Sequence, residues 1–388
     1  MQQLAVYVFG SSVLFVLYVL FGYPLLLALL SFRNKGEIQR AWTARTVSIV
    51  VPVHNGEAWI QSKLESLTAL NYPASLIHVI FIDDGSTDRT AELVKQIGDS
   101  RVELLSIPRS GKAVALNVGI GRASGEILLF TDIRQRLDPC SLRNLVECFA
   151  DPSVGVVSGE LIILSGETQA EANIGLYWNY EKWIRKRLSR LDSVLGATGC
   201  LYAMRRELAV TLPPTTLLDD VYLPLAAFFK GYRVIFDERA RAFDYPTNLK
   251  SEFRRKVRTQ AGVYQIAGSY PRLLLPTTRM WLHFVSHKMG RLLLPYALLL
   301  IAISSFGLPQ PWNLAVLVAQ VCFYGLAALD GRLPRPVDRL SSLARTFAVL
   351  MGAALCAPMF LASNRRRAPG WGTTEVRPAV VPPRVQHR

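Results

Sequence analysis

Cysteine is scarce in this chain, and charge is thin. The five cysteines among 388 residues (Cys140, Cys148, Cys200, Cys322 and Cys356) form no C-x-x-C pair. That excludes a zinc knuckle, argues against a disulfide framework, and points to reduced thiols. Only 19% of residues are charged while 51% are hydrophobic, which is too apolar for an ordinary soluble protein of this size. No single basic stripe of the kind that binds nucleic acid accounts for the formal net charge of +15. The excess gathers beside apolar runs, where it suits an anionic membrane surface.

Residues 4–32 contain no charge at all. About 20 apolar residues span a bilayer, so residues 1–32 are expected to hold a transmembrane helix. A basic leading region and a small-residue cleavage site are both missing, which argues against a secretory signal. Arg33, Lys35, Arg40 and Arg45 follow the run and predict an outside N-terminus with the next domain in the cytoplasm. Further candidate spans lie near 290–307, 312–329 and 346–362. These place an interfacial helix and about three transmembrane helices in 273–363. The expected spans carry no buried charge, so a small-solute transporter fits poorly. The tail 364–388 is basic and Pro-rich, and is expected to be disordered. It would fall outside, against the positive-inside expectation.

Between these regions the pattern alternates. "TVSIVVPV", "HVIFID", "VELLSI" and "EILLFTD" read as strands, and "GEAWIQSKLESLTAL", "TDRTAELVKQIGD" and "GKAVALNVGIGRAS" as helices, the second capped by Thr87 or Asp88. Such alternation predicts an α/β fold with a mainly parallel sheet and helices on both faces. Ligands in such sheets bind beyond the carboxyl ends of the strands, where Asp83, Asp84 and Asp132 fall. Taken alone, Asp83-Asp84-Gly85-Ser86 also suits a plain turn with a helix cap.

The second half is less regular. "VGVVSGELIIL" reads as a strand pair or a strand with a turn. Residues 170–191 form a helix in which Tyr177, Trp178, Tyr180 and Trp183 interleave with Lys182, Arg185, Lys186, Arg187 and Arg190. It suits either an acceptor sugar and headgroups or a packed helix with a solvated basic face. Gly119, Gly121 and Gly125 imitate a dinucleotide fingerprint, yet they end a helix instead of starting one. His283 and His287, four apart, could pair on a metal, although an interfacial helix explains them better.

In order, the chain shows "VPVHN", "DDGSTD", "GKAVALN", "FTD", "GATGCLYAMRREL", the pair Asp219-Asp220 opening a helix, and a basic helix before the apolar runs. This order, over roughly residues 5–330, resembles membrane-integral family 2 glycosyltransferases such as the poly-N-acetylglucosamine, hyaluronan and cellulose synthases. The resemblance implies a GT-A-like nucleotide-sugar domain over residues 33–272, facing the cytoplasm from a bacterial-type inner membrane. It implies an inverting transfer from a UDP-sugar to a growing polysaccharide or lipid-linked glycan, with membrane lipids and export or accessory subunits as partners. The alternatives are single-sugar transfer to a lipid carrier and a degenerate donor-binding subunit that regulates a partner synthase.

By the same resemblance, Asp84 with Asp83 would contact the uridine side, and Pro52, Asn55 and Glu57 would line the donor site with His54 behind them. Lys112 would meet phosphate, Gly199 would abut the acceptor sugar, and Asp219 would lie in the substrate site. Asp220 would be the general base that takes the acceptor proton. Asp132 would meet ribose and a Mg²⁺ or Mn²⁺ ion on the diphosphate. Arg134 stands where many relatives have a second carboxylate, and an arginine cannot ligate metal. In a Gln-x-x-Arg-Trp motif of the synthases, Arg255 replaces the glutamine and Thr259 the tryptophan. Only Arg258 is kept, and it would grip the diphosphate. Loss of the tryptophan puts processive synthesis in doubt, though not sugar transfer.

Overall fold

A computed structural model describes residues 1–33, 36–164, 169–245, 249–334 and 337–363; for Arg33, 169–178 and 249–250 it describes the backbone alone. The expected disordered tail lies outside these residues. The uncharged N-terminal run is helical: α1 (Gln2–Leu17) passes through a π turn (Tyr18–Gly22) into α2 (Tyr23–Arg33). Pro24 has no N–H to offer the carbonyl four residues back, and the ladder widens just before it.

The alternating region then delivers β1 (Val47–Val53), α3 (Glu57–Thr68), β2 (Ile77–Asp84), α4 (Thr90–Lys95), β3 (Val102–Ile107), α5 (Lys112–Arg122) and β4 (Ile127–Phe130). The expected cap of α4 moves by a residue or two. Arg89 occupies the cap position, and Asp88 accepts from the N–H and the hydroxyl of Thr90. After β4 come β5 (Arg136–Leu137), α6 (Ser141–Glu147), β6 (Val154–Ile163), α7 (Gln169–Leu191), β7 (Tyr202–Arg205), α8 (Asp219–Phe229), β8 (Arg233–Asp244) and α9 (Leu249–Ser269). "VGVVSGELIIL" is therefore one strand.

The eight strands form one sheet in the order β3-β2-β1-β4-β7-β6-β8-β5. The half that carries β3, β2, β1 and β4 is parallel, as is the β6/β8 pair; β7 runs antiparallel to both β4 and β6. All seven residues of β1 are buried, as a strand covered on both faces requires. Successive residues point to opposite sides. Ile49 and Val51 belong to one core cluster with Ile60 of α3 and Leu142 and Leu145 of α6, while Val50 belongs to the other with Ala115 and Leu116 of α5. Gly119 lets α5 lie close, since a Cβ there would stand 2.6 Å from a Val50 methyl.

Beyond α9, helix α10 (Trp281–His283), a π turn (Phe284–Met289) and α11 (Gly290–Ser305) form one continuous segment, followed by α12 (Trp312–Ala328) and α13 (Val337–Ser363). Among the described residues, three helical runs are long and apolar enough to cross a bilayer: Gln2–Phe32, Trp281–Ser305 and Val337–Ser363. α12 is shorter. The expected interfacial helix around His283 and His287 is thus the start of an apolar run.

Candidate active site

The loops beyond β1, β2 and β4 converge. At the end of β2, Asp84 is 0% exposed. Its Oδ1 accepts the Ser110 N–H at 2.6 Å, its carboxylate also takes the Gly111 N–H, and the Arg109 guanidinium pairs with it. Asp84 therefore fastens the loop that starts α5. Asp84 is thereby held at the carboxyl end of β2, where the uridine contact was expected. Buried Asp83 accepts the Ser86 N–H at 3.0 Å and closes its own turn. Gly85, at φ +65°, is needed there because a Cβ would stand 2.7 Å from the Arg109 nitrogen.

The β1 end is tied to the same turn. The Asn55 N–H donates to Ser86 Oγ, and Asn55 Oδ1 accepts the Thr87 N–H at 2.8 Å. The Glu57 N–H donates to Asp88 Oδ2, and its carboxylate accepts the Arg89 N–H. His54 Nδ1 lies 3.0 Å from the Asp84 carbonyl. Pro52 is buried inside β1 opposite Ile82. Pro52, Asn55 and Glu57 hence build the wall formed by these two loops.

The fastened loop delivers Lys112 at the first position of α5. Its Nζ lies 2.9 Å from Asp132 Oδ1 and 3.4 Å from Asp219 Oδ2. Lys112 thus joins the end of β4 to the start of α8, which lie far apart in sequence. Burial alone would lower its pKa, but Asp132, Asp219 and Asp220 outweigh burial and raise it. Asp220 follows Asp219 on the first turn of α8. Burial and then the Asp219 charge push its carboxyl up to about 6, against the opposing pull of Lys112, Arg185 and Arg258. Gly199 is the open floor beside it: a Cβ there would stand 2.8 Å from Asp220 Oδ2. Six of the expected residues (Lys112, Asp132, Gly199, Asp219, Asp220 and Arg258) thus belong to one electrostatic cluster, with Asp83, Asp84, Pro52, Asn55 and Glu57 framing it.

Sequence reasoning missed several neighbours. Tyr202 on β7 is wholly buried, its hydroxyl has no hydrogen-bond partner among the described residues, and burial with the charges of Asp219, Asp220 and Asp132 raises its pKa. Arg185 on α7 donates to Thr198 Oγ1 at 2.8 Å. On α9, Gln265 accepts the Leu217 N–H and donates to the Thr215 carbonyl, both at 2.9 Å. That clamps the loop leading into Asp219-Asp220. None of these side chains carries a local sequence signal, because each partner is distant along the chain.

Other expectations resolve on geometry. Arg134 Nη2 pairs with Asp244 Oδ2 at 2.5 Å, so the arginine that replaces the second carboxylate is tied to the end of β8. His283 and His287 both pack against the Tyr23 ring, with His283 Nδ1 3.1 Å from the Tyr23 hydroxyl and His287 Nε2 3.5 Å from Glu181 Oε1. Arg255 pairs with Glu252 at 2.6 Å, and the Thr259 hydroxyl bonds back to its own helix. On α7, Arg187 stacks over Trp183, and Lys182 pairs with Glu160. The described part of that helix is packed and partnered; the side chains of Tyr177 and Trp178 lie outside the described residues.

No group of three His, Cys, Asp or Glu suited to a metal occurs among the described residues. Asp132, the carboxylate expected to meet a metal, is contacted by Lys112 at 2.9 Å. One carboxylate fits a hard cation that takes its remaining ligands from diphosphate oxygens and water.

Residues 48–212 match the family described as glycosyl transferase family 2. An N-acetylglucosaminyltransferase of Rhizobium leguminosarum bv. trifolii is 32% identical over 123 residues, covering 30% of this chain and 67% of that one. An N-acetylglucosaminyltransferase of Rhizobium sp. (strain N33) is 25% identical over 300 residues, covering 71% and 65%. The chain spans about half the length of several of the curated relatives it matches. Among solved structures, a mannosyltransferase from Pyrobaculum calidifontis, in complex with GDP-Man and Mn²⁺, superposes with a TM-score of 0.69 at 22% identity, covering 90% of this chain and 99% of that one. At that identity the likeness shows a shared GT-A-like fold.

Proposed function

Because the chain belongs to glycosyl transferase family 2, we propose that it moves a sugar from a nucleotide-sugar donor to a hydroxyl of a membrane-associated glycan, with Asp220 as the general base. The observation that carries this reading is the convergence on Lys112. One ammonium bridges Asp132 and Asp219, with the raised carboxyl of Asp220 beside it. A base whose carboxyl is pushed up to about 6, next to a cation and packed closely on Gly199, suits deprotonation of an alcohol beside a diphosphate.

In this mechanism the donor diphosphate lies over the start of α5, where Lys112 and the helix N-terminus meet its charge. Arg258 adds a second positive charge. Asp220 takes the proton of the acceptor hydroxyl, and its oxygen attacks the anomeric carbon as the bond to the diphosphate breaks. One displacement inverts the anomeric centre, so an α-linked donor gives a β-linkage. A divalent cation held by Asp132 and the diphosphate would neutralise charge on the leaving group. Lys112 and Arg258 share that task from the protein side.

The names of the relatives make UDP-N-acetylglucosamine the first donor to test and other UDP-sugars the next; GDP-mannose follows from the solved neighbour. Thr259, in place of a stacking aromatic, favours single transfer to a lipid-linked acceptor over a long polymer. The apolar helices support a reading in which residues 33–272 lie against a membrane, and the basic residues after α2 favour its cytoplasmic side. A regulatory subunit without activity would have no use for a base with a raised pKa.

The test is incubation of the membrane-embedded chain with radiolabelled UDP-sugars and GDP-mannose in Mg²⁺ or Mn²⁺. Asp220→Asn should cut turnover by about 10²-fold or more while donor binding survives. Normal turnover by that variant refutes the assignment of the base, and a polymer ladder in the product refutes single transfer.

A further inference from the structure

Lys63 on α3 is 1% exposed, and a role in the chemistry proposed above does not account for it. Its ammonium donates to Thr131 Oγ1 and to the Gln135 carbonyl, both at 2.7 Å. No carboxylate pairs with it within 4.0 Å among the described residues. A buried ammonium without a counter-ion is costly, and burial lowers its pKa to about 7 while Asp132 opposes that. An apolar side chain of the same length would fill the space at less cost, so the charge and the donors have a use.

Both bonds end on one turn. Thr131 and Gln135 bracket residues 132–134, which connect β4 to β5. Within that turn Asp132 reaches Lys112 and Arg134 reaches Asp244. Lys63 holds the two ends of the turn with one atom, and so sets the span from which Asp132 projects.

We propose that Lys63 is a positioning residue for the donor: by bridging Thr131 and Gln135 it fixes the turn that presents Asp132 to the diphosphate side of the nucleotide sugar. The proposal rests on the donor site described above. Without the bridge the turn samples other spans, Asp132 and Lys112 lose register, and the donor must order them on binding. The effect therefore falls on donor recognition. The acceptor side, held by α8 and Gly199, keeps its geometry.

The experiment uses the full chain in membranes and the variant Lys63→Met, which keeps the volume and removes the donors. The donor KM should rise about tenfold, the acceptor KM should stay within about twofold, and the melting temperature should not fall. A merely structural lysine would lower the folded fraction, and so Vmax, while leaving the donor KM unchanged. A donor KM within twofold of wild type overturns the proposal, whatever Vmax does. If Lys63→Met does not accumulate as folded protein, Thr131→Val removes one of the two bonds and is held to the same donor-KM criterion. Equilibrium dialysis with UDP reads the same effect without turnover. Tight UDP binding by wild type and Lys63→Met alike overturns the role of Lys63 alone. A wild-type chain that neither transfers sugar nor binds UDP overturns the proposed function and this role together.

Discussion

The acid limb of the pH–rate profile should move in opposite directions when the two charges that flank Asp220 are removed. Asp220 must be ionised to accept a proton, so activity is lost as pH falls through about 6. That value lies about two pH units above the ordinary 3.8, or ~3 kcal/mol of preference for the protonated form. Burial is the leading cause and the Asp219 charge the second, so Asp219→Asn removes only part of the preference. The limb should fall by about half a unit to one unit. Lys112 pulls the other way, and Lys112→Met should raise the limb by a similar amount while also weakening donor binding. The assay is the initial rate against pH at subsaturating acceptor, because kcat/KM reports the free enzyme. A limb that stays in place in both variants, or moves the same way in both, refutes the electrostatic account of the base. A profile with no acid limb near pH 6 refutes Asp220 as the base.

Two further outcomes follow from packing around the base. Gly199→Ala puts a methyl where Asp220 Oδ2 now lies 2.8 Å from the Cβ position. It should lower kcat at least about tenfold with a melting temperature close to wild type, as read by steady-state kinetics and thermal melting. Gln265→Ala removes both bonds that α9 makes to the 215–217 loop. It should cost about 1–3 kcal/mol of stability in denaturant unfolding and reduce kcat more than donor KM, because the loop leads into α8.

The parallel half of the fold was legible because β1, β2 and β4 are covered on both faces and read as unbroken apolar runs. β8 was not. Its outer stretch carries Asp237, Glu238, Arg239 and Arg241; the pairing of Arg239 with Glu147, of Arg241 with Glu160 and of Glu238 with Lys186 is visible only once α6, β6 and α7 lie alongside. At the site, the acidic pairs stood out because carboxylates at strand and helix ends are rarely idle. What each carboxylate holds could not be read locally. Asp84 binds backbone groups 26 and 27 residues away, so a ligand contact and a loop anchor look the same in sequence. Lys63 shows the reverse case: on an amphipathic helix a lysine reads as solvent-facing, and only the position of Thr131 reveals that it is enclosed. The spacing of His283 and His287 suggested one shared face, and both rings do pack on Tyr23, but their nitrogens face the Tyr23 hydroxyl and Glu181, partners more than 100 residues away that the local sequence does not show.

The base and the apolar helices share their supports. Glu181 of α7 is buried between Arg291 at 2.9 Å, Lys288 and His287 on one side and Arg185 on the other. Burial would raise its pKa, but the surrounding cations hold it well below the ordinary carboxylate range. Arg185 continues to Thr198, next to the glycine that faces Asp220. A second support runs through α9. This helix fixes the approach to the base with Gln265 and packs against α13, where Gly352 faces Phe253. Gly262 brings α9 so close to the loop that a Cβ would stand 2.4 Å from Leu218. Two independent connections therefore tie the position of one carboxylate to helices apolar enough to lie in lipid. An acceptor that dissolved freely in water would gain nothing from that coupling, whereas one held at the bilayer surface would meet a base already fixed relative to that surface.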